Sequence, residues 1–213
     1  MTLEQGLSGI RASLREVAPA EIADVLVAHQ QDLVDSADPA KFAGPGATVG
    51  DFTLPDAGGT GVSLAELTAE GPAVLVFYRG QWCPYCNLTL RAYQAELVPE
   101  LGRHGARLAA ISPQLPDGST ATKEANALSF PVLSDVGNVV ARELGLTFTV
   151  SEDVRPTMSG IGADLAKHNG EWELAHPAVL VVDRERVIRF ADVHPDYTTR
   201  TEPARILEVV KSL

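Results

Sequence analysis

The first forty residues carry apolar side chains at helical spacing, in two runs separated by a break at Ala18-Pro19. Each run predicts an amphipathic helix. The first run consists of Leu3, Leu7, Ile10, Leu14 and Val17, and the second of Ile22, Val25, Leu26, His29 and Leu33. Because apolar stripes of this kind are normally buried, we expect this N-terminal helical extension, residues 1–43, to pack on the rest of the chain or to form a homodimer.

From residue 44 onward, short apolar runs alternate with helical patterns. The run AVLVFY at 73–78 is rich in β-branched and aromatic residues and predicts a strand buried on both faces, followed by a long helix from Pro84. Further strands are predicted at 106–111, 130–133, 177–183 and 186–190. Strands that alternate with helices indicate a βαβ core, to which a late hairpin adds antiparallel strands. Residues 44–213 therefore form an α/β domain, with the polar segment 147–176 predicted to be an irregular insertion loop.

Composition narrows the class of protein. With 45% hydrophobic and 21% charged residues the chain is typical of a globular protein. Its net charge of −11 argues against a nucleic-acid partner and against anionic membranes. The first twenty residues have no continuous apolar core, and the apolar runs are far shorter than the roughly 20 residues of a membrane span. We therefore expect a cytoplasmic protein.

The only two cysteines, Cys83 and Cys86, form a Cys-x-x-Cys pair. A structural disulfide across two residues closes too small a loop to stabilise the fold much. A zinc site would need about four ligands, and the five histidines form no His-x3–5-His pair. Redox chemistry remains, and no motif implies a metal, haem or hydride-transfer cofactor.

The position of the pair agrees with redox chemistry. A buried strand ends at Tyr78, a short turn follows, and Cys83 is the predicted N-cap of the next helix, with Pro84 at the first helical position. Both sulfurs then lie near unpaired backbone N–H groups, where the helix dipole stabilises a thiolate. Arg79, in the turn itself, lies within reach of the thiols.

The string FYRGQWCPYCNLTLRAYQ resembles the peroxiredoxin-like branch of the AhpC/TSA family, and the strand–turn–WCPYC–helix order resembles the thioredoxin fold. The similarity continues through ISPQ (111–114), FPVLSD (130–135), HPAVLVVD (176–183) and DYTTRTEP (196–203). This resemblance implies a thioredoxin-like, peroxiredoxin-type mixed sheet flanked by helices. The helical extension lies outside the shared core.

The resemblance also assigns site residues. When the family signature Pro-x-x-x-Thr-x-x-Cys is aligned here, the peroxidatic cysteine falls on Cys86, the threonine on Cys83 and the proline on Arg79. Pro177 resembles the cis-proline that faces the cysteine pair in thioredoxins. The guanidinium that stabilises the thiolate is then supplied by Arg79 or by Arg200. The remaining supporting residues of the WCPYC motif are Trp82 and Pro84.

Three functions are compatible with this pattern. The first is a thiol peroxidase, in which Cys86 attacks a hydroperoxide, Cys83 forms a disulfide with it, and thioredoxin or another dithiol reduces that disulfide. The second is a thiol–disulfide oxidoreductase, in which Cys83 attacks a disulfide substrate. The third is a non-enzymatic binding or redox-sensing module. We expect Cys86 to be the nucleophile toward peroxides and Cys83 the nucleophile toward disulfides.

Overall fold

A computed structural model describes residues 2–213 of the chain. The strands are β1 (Thr53–Pro55), β2 (Gly61–Ser63), β3 (Ala73–Phe77), β4 (Arg107–Ser112), β5 (Val132–Ser134), β6 (Thr147–Thr149), β7 (Glu173–Ala175), β8 (Ala178–Val182) and β9 (Ile188–Val193). The helices are α1 (Leu3–Val17), α2 (Ala20–Ser36), α3 (Leu64–Leu67), α4 (Pro84–Ala92), α5 (Val98–Leu101), α6 (Pro116–Ala125), α7 (Val139–Glu143), α8 (Arg155–Gly160), α9 (Leu165–His168) and α10 (Pro203–Lys211). Within these residues no helix is both long and apolar enough to cross a bilayer.

Five strands form the central sheet in the order β5-β4-β3-β8-β9. Strands β3, β4 and β5 are parallel, whereas β8 is antiparallel to both β3 and β9. The sheet is therefore mixed and thioredoxin-like, as the sequence predicted. Strand β3 lies in the middle with all five residues buried, which explains why its sequence is continuously apolar. The cysteine motif follows its carboxyl end.

Two hydrophobic cores cover the two faces of the sheet. Side chains of β3 alternate between them, with Val74 and Val76 in one core and Leu75 and Phe77 in the other, as the pleat of a strand requires. The first core also contains both cysteines and residues of α1, α4 and α10. The cysteine pair is therefore packed into the main core and is not displayed on a surface loop.

The extension docks on the chain's own core, one of the two predicted alternatives. Leu3 and Leu7 of α1 are buried in the first core. A capping box at Thr2 satisfies the first turn of α1. Further along, the Tyr197 hydroxyl donates a hydrogen bond to the carbonyl of Leu26 in α2 at 3.0 Å. The boundary between extension and domain at residues 43 and 44 stays a prediction.

The segment 147–176 is not the irregular loop that the sequence predicted. Strands β6 and β7 pair antiparallel, and α8 and α9 lie between them. A small core of their own holds this unit together: Val150, Val154, Met158, Ala163, Leu165 and Leu174. Val150, Val154 and Met158 lie four residues apart, but the pairing of β6 with β7 that brings Leu174 to them cannot be read along the sequence.

The long helix predicted from Pro84 continues to Leu101, but it contains a π-helical turn at Tyr93–Leu97. Pro99, just after this turn, lies in the first turn of α5, where its missing N–H needs no partner. The hydroxyl of Tyr93 donates to the carbonyl of Thr201 at 2.7 Å. This contact ties the helix to the segment that carries Arg200.

Candidate active site

A short loop joins β3 to α4 and is held from both sides. The Cys83 amide donates to the Gly80 carbonyl at 3.1 Å. A Cβ on Gly80 would lie 2.5 Å from the Trp82 indole nitrogen, so only glycine lets the indole pack there. The Gln81 amide donates to Gln114 Oε1 at 2.7 Å. Gln114, from the ISPQ motif, therefore fixes the loop that presents the cysteines.

Both cysteines occupy the helical positions that the sequence predicted. Cys83 is the N-cap of α4 and Pro84 is its first residue. The Cys83 carbonyl accepts the first bond of the helix from the Asn87 amide at 3.1 Å. Both residues are free thiols and only 1% exposed. Burial at a helix start places the two sulfurs in a low-dielectric environment with the positive end of the helix dipole.

The Cys86 sulfur lies close to two hydrogen-bond donors, one of which belongs to a positively charged guanidinium. The Arg200 Nη2 atom is 3.1 Å from it and the backbone amide of Arg79 is 3.4 Å from it. Burial acts to raise the pKa of Cys86, but the hydrogen bond from Cys83, the Arg200 guanidinium and the Arg79 amide together lower that pKa well below its ordinary value. These contacts make Cys86 the candidate thiolate of the pair.

Cys83 is the candidate protonated partner of the pair. Burial and the hydrogen bond that its S–H donates to Cys86 raise the pKa of Cys83 well above its ordinary value, against the opposing charges of Arg79 and Arg200. A donor three residues before the thiolate occupies the place of the family's threonine hydroxyl. The donor here is itself a second cysteine sulfur.

Arg200 is oriented by the backbone around it. Its Nη1 atom donates to the carbonyl of Tyr197 at 2.6 Å and to that of Thr199 at 2.5 Å. A guanidinium with one edge on carbonyls presents its other edge in a fixed direction. The sequence analysis offered two arginines as the source of the guanidinium beside the thiolate. Arg200 contacts the Cys86 sulfur through its guanidinium, whereas Arg79 contacts it through its backbone amide.

The Arg79 side chain is buried without a carboxylate partner. Its guanidinium carbon lies 3.9 Å from the centre of the Tyr197 ring and 4.7 Å from that of Trp82. The stacking supplies cation–π attraction, but Arg79 Nε and Trp82 Nε1 have no hydrogen-bond partner among the described residues. The side chain is 4% exposed. The site thus holds a buried positive charge and two unused donors.

Pro177 does not have the geometry of a thioredoxin cis-proline. Within residues 2–213 every peptide bond is trans, including the one before Pro177. The residue precedes β8, whose Ala178 pairs with Phe77 of β3, and the Pro177 carbonyl accepts from the His194 amide at 2.8 Å. The trans bond is the favoured isomer unless the surroundings select the other. The prediction of a cis bond here was wrong.

A cavity of about 380 Å³ opens beside the pair. Arg79, Trp82, Cys83, Pro84 and Tyr197 line it, and Cys86 does not. The opposite wall comes from α1, α2 and α8. A larger hollow of about 650 Å³ lies elsewhere, near Phe130 and Arg107, and contains no cysteine. The smaller cavity is therefore the candidate substrate site.

Several residues of the site escaped the sequence analysis. Tyr197 lies in the quoted DYTTR string, yet nothing in the string shows that its ring stacks on Arg79. Gln114 lies in ISPQ, and its clamp on Gln81 is likewise invisible. Two histidines that the sequence analysis did name, His29 in the second helical run and His176 in the HPAVLVVD string, are buried here, and His29 Nε2 and His176 Nδ1 have no hydrogen-bond partner among the described residues. Among residues 2–213 no three His, Cys, Asp or Glu side chains are grouped to hold a metal ion.

The fold and the paired thiols define a thioredoxin-fold protein with a peroxiredoxin-like site. The sequence profile of the AhpC/TSA family matches residues 45–191, more than half of the chain. The chain therefore belongs to the AhpC/TSA family, as its motifs implied.

The relatives are peroxiredoxins by name. Chloroplastic peroxiredoxin Q of Gentiana triflora is 30% identical over 131 residues, covering 62% of this chain and 58% of the relative. The first curated relatives are matched over less than two thirds of their own length, 58 to 65%. Among solved structures, peroxidoxin BcpB of Mycobacterium tuberculosis superimposes with a TM-score of 0.65 and 22% identity over 80% of this chain and 98% of its own. Peroxiredoxin Q of Xanthomonas campestris gives a TM-score of 0.60 and 17% identity over 80% and 96%.

Proposed function

We propose that the protein is a thiol peroxidase that reduces hydroperoxides through a Cys83/Cys86 dithiol–disulfide cycle. The single observation that carries this proposal is the Arg200 guanidinium at 3.1 Å from the buried Cys86 sulfur. A thiolate beside a fixed cation is the nucleophile that peroxide reduction requires. Membership of the AhpC/TSA family supports the same chemistry.

In the first step the Cys86 thiolate attacks the terminal oxygen of a hydroperoxide, ROOH. The O–O bond breaks, Cys86 becomes a sulfenic acid, and the leaving alkoxide takes a proton from water to give ROH. Because Cys83 lines the cavity and Cys86 does not, the Cys83 side chain turns aside as the peroxide enters. Arg200 and the Arg79 amide keep Cys86 ionised during this movement.

In the second step the Cys83 sulfur attacks the Cys86 sulfenic acid. A disulfide forms and water leaves. An external dithiol of the thioredoxin type then reduces the disulfide, is itself oxidised, and returns both thiols. A homodimer stays a prediction of the sequence, and the structure does not require one, because Leu3 and Leu7 of the extension are already buried within one chain. A cytoplasmic location also stays a prediction.

The test is consumption of peroxide by the pre-reduced protein, followed with hydrogen peroxide and with an organic hydroperoxide in the presence of a dithiol. We expect turnover by the natural chain, a single oxidation without turnover for Cys83→Ser, and loss of the reaction for Cys86→Ser. Peroxide consumption that is unchanged in Cys86→Ser contradicts the proposal.

A second candidate is a thiol–disulfide oxidoreductase, which one observation favours. Cys83 is the cysteine that lines the cavity, and an N-terminal cysteine of such a pair attacks disulfides in exchange chemistry. Its 1% exposure disfavours contact with a protein disulfide. Reduction of insulin disulfides by the protein, faster than its reaction with any peroxide, would favour this candidate over the first.

A further inference from the structure

The cavity beside the cysteines is walled by elements that the AhpC/TSA match does not include. That match begins at residue 45, whereas α1 and α2 end before it. Together with α8 they contribute the apolar wall: Ile10, Leu14, Val17, Leu26, Met158 and Ile161. The extension therefore packs on the domain and also forms one side of the candidate substrate site.

The cavity is too large and too apolar for hydrogen peroxide alone. A water molecule takes about 30 Å³ of liquid volume, and hydrogen peroxide has only one further oxygen atom. At about 380 Å³ the cavity falls within the roughly 300–1,000 Å³ typical of small-molecule sites. Hydrogen peroxide would leave most of the apolar wall uncovered, whereas an apolar ligand would remove that surface from water.

The two ends of the cavity differ in chemistry. At the inner end lie Cys83 and the Arg79 cation, which has no carboxylate within salt-bridge distance among residues 2–213. Trp82, with its unpaired indole N–H, lies beside them. Such donors suit the oxygens of a peroxide and the negative charge that develops on the leaving oxygen. A ligand fits when its peroxide group faces inward.

The outer end carries apolar side chains in contact with solvent. Val17, at the end of α1, is 78% exposed and Ile161, just after α8, is 47% exposed. Both line the cavity. When an apolar ligand covers large apolar side chains at the mouth of a cavity, the removal of their surface from water favours binding. Met158, only 1% exposed, lies deeper in the same wall.

We infer that this cavity is the binding site for the organic part of a bulky, apolar hydroperoxide. Residues of α1, above all Leu14 and Val17, determine the preference for such substrates over hydrogen peroxide. The inference rests on the proposed peroxidase function and names its substrate class. The apolar body lies along α1 and α8, and the thiolate displaces the alkoxide from the terminal oxygen as described above.

The kinetic test compares cumene hydroperoxide with hydrogen peroxide, using the rate at which each oxidises the pre-reduced, full-length protein. We expect the natural chain to react faster with cumene hydroperoxide. Val17→Glu, at an exposed position that tolerates charge, and Leu14→Gln should each lower that rate by about 5- to 10-fold while changing the rate with hydrogen peroxide less than about 2-fold.

The matched control is Val34→Glu. Val34 lies on α2, is 42% exposed and does not line the cavity, so the same substitution should leave both rates unchanged. Equal losses with both peroxides in Val17→Glu, or no loss with either, overturn the inference. The inference is also overturned if the natural chain reacts faster with hydrogen peroxide than with cumene hydroperoxide.

A binding measurement separates this inference from the function on which it rests. Trp82 lines the cavity and Trp172 is the only other tryptophan, so in Trp172→Phe the fluorescence reports on the site. The unreactive alcohol 2-phenyl-2-propanol should change this fluorescence saturably, and Val17→Glu should weaken its binding. If neither peroxide oxidises the protein, the proposed peroxidase function is wrong. The fluorescence titration with the alcohol then still tests whether the cavity binds an apolar ligand. Absence of binding overturns the inference.

Discussion

The Arg200 guanidinium lies 3.1 Å from the Cys86 sulfur, although the two residues are 114 positions apart in the chain. Carbonyls of the loop after Asp196 hold the other edge of that guanidinium. The charge is therefore in place before any substrate arrives, which is the arrangement that stabilises developing or resident negative charge most effectively.

Replacing Arg200 should raise the pKa of Cys86. In Arg200→Gln we expect the rate of Cys86 oxidation by peroxide at pH 7 to fall about 10- to 100-fold, because a charge-assisted donor is lost from a buried thiolate. Arg200→Lys should recover part of the rate, since it keeps the charge but cannot hold both carbonyls and the sulfur. The measurement is the pH dependence of alkylation of Cys86 by iodoacetamide.

Arg205→Gln is the control for the loss of a positive charge in the same region. Arg205 lies on α10, over the Phe190 ring and beside Glu208, away from the sulfurs. The midpoint of alkylation should not move in this variant. An unchanged midpoint in Arg200→Gln would show that Arg200 does not set the pKa of Cys86.

Cys83 should act both as a hydrogen-bond donor and as the resolving thiol, and two substitutions separate these roles. Cys83→Ser keeps an O–H donor toward Cys86, whereas Cys83→Ala removes it. Because the Cys83 hydrogen bond lowers the pKa of Cys86, that pKa should be higher in Cys83→Ala than in Cys83→Ser. Neither variant can form the internal disulfide.

The Cys83→Ser variant also identifies the sulfur that reacts with peroxide. Dimedone should trap a sulfenic acid at Cys86 in this variant, and Cys86→Ser should be nearly inert. The low pKa of Cys86 and the high pKa of Cys83 are the reason. A label found on Cys83 instead would assign the reaction to the cavity-lining sulfur and would favour the oxidoreductase alternative.

Oxidation should produce an internal Cys83–Cys86 disulfide as the main product. The chain has no third cysteine, and burial of both sulfurs disfavours a disulfide between two copies of the chain. Intact mass measurement after treatment with one equivalent of peroxide should show the monomer lighter by two hydrogens. A disulfide-linked dimer as the main product would contradict the proposed cycle.

Local sequence predicted those parts of the site that neighbouring residues determine. Cys83 as N-cap and Pro84 as first helical residue follow from the order of strand, turn and helix. The burial of β3 follows from its continuous apolar run. These features depend on chain order alone, and the structure agrees with them.

Features that depend on distant pairs could not be chosen from the sequence. Arg79 and Arg200 were equal candidates for the contact with Cys86, and only the folded chain decides between them. The small core around Met158 depends on the pairing of β6 with β7, which are separated by two helices. The expectation of a cis bond before Pro177 rested on resemblance to thioredoxins, whereas the bond is trans, because packing outside the motif sets the isomer.

Two buried histidines lie beside the site and carry a pH dependence of stability. His29 is on α2, with its ring 6.3 Å from those of both Phe148 and Tyr197. His176 packs its ring 4.6 Å from Phe148. Burial, followed by the charge of Arg79, lowers the pKa of each histidine from 6.5 to about 4. Both rings are therefore neutral in the folded protein near pH 7.

The free energy of unfolding should fall as the pH drops from about 6.5 to about 4, because the unfolded chain binds protons at these histidines first. The stability is fully present above pH 6.5, and its loss should amount to about 1–2 kcal/mol for each histidine once solvent screening is allowed for. His29→Phe, which suits the aromatic surroundings and leaves no unpaired nitrogen, should flatten this dependence in urea titrations at pH 7.0 and pH 5.0. His104→Gln, at an exposed position, should not change it. A pH dependence that is equally steep in His29→Phe and the natural chain would show that His29 does not contribute.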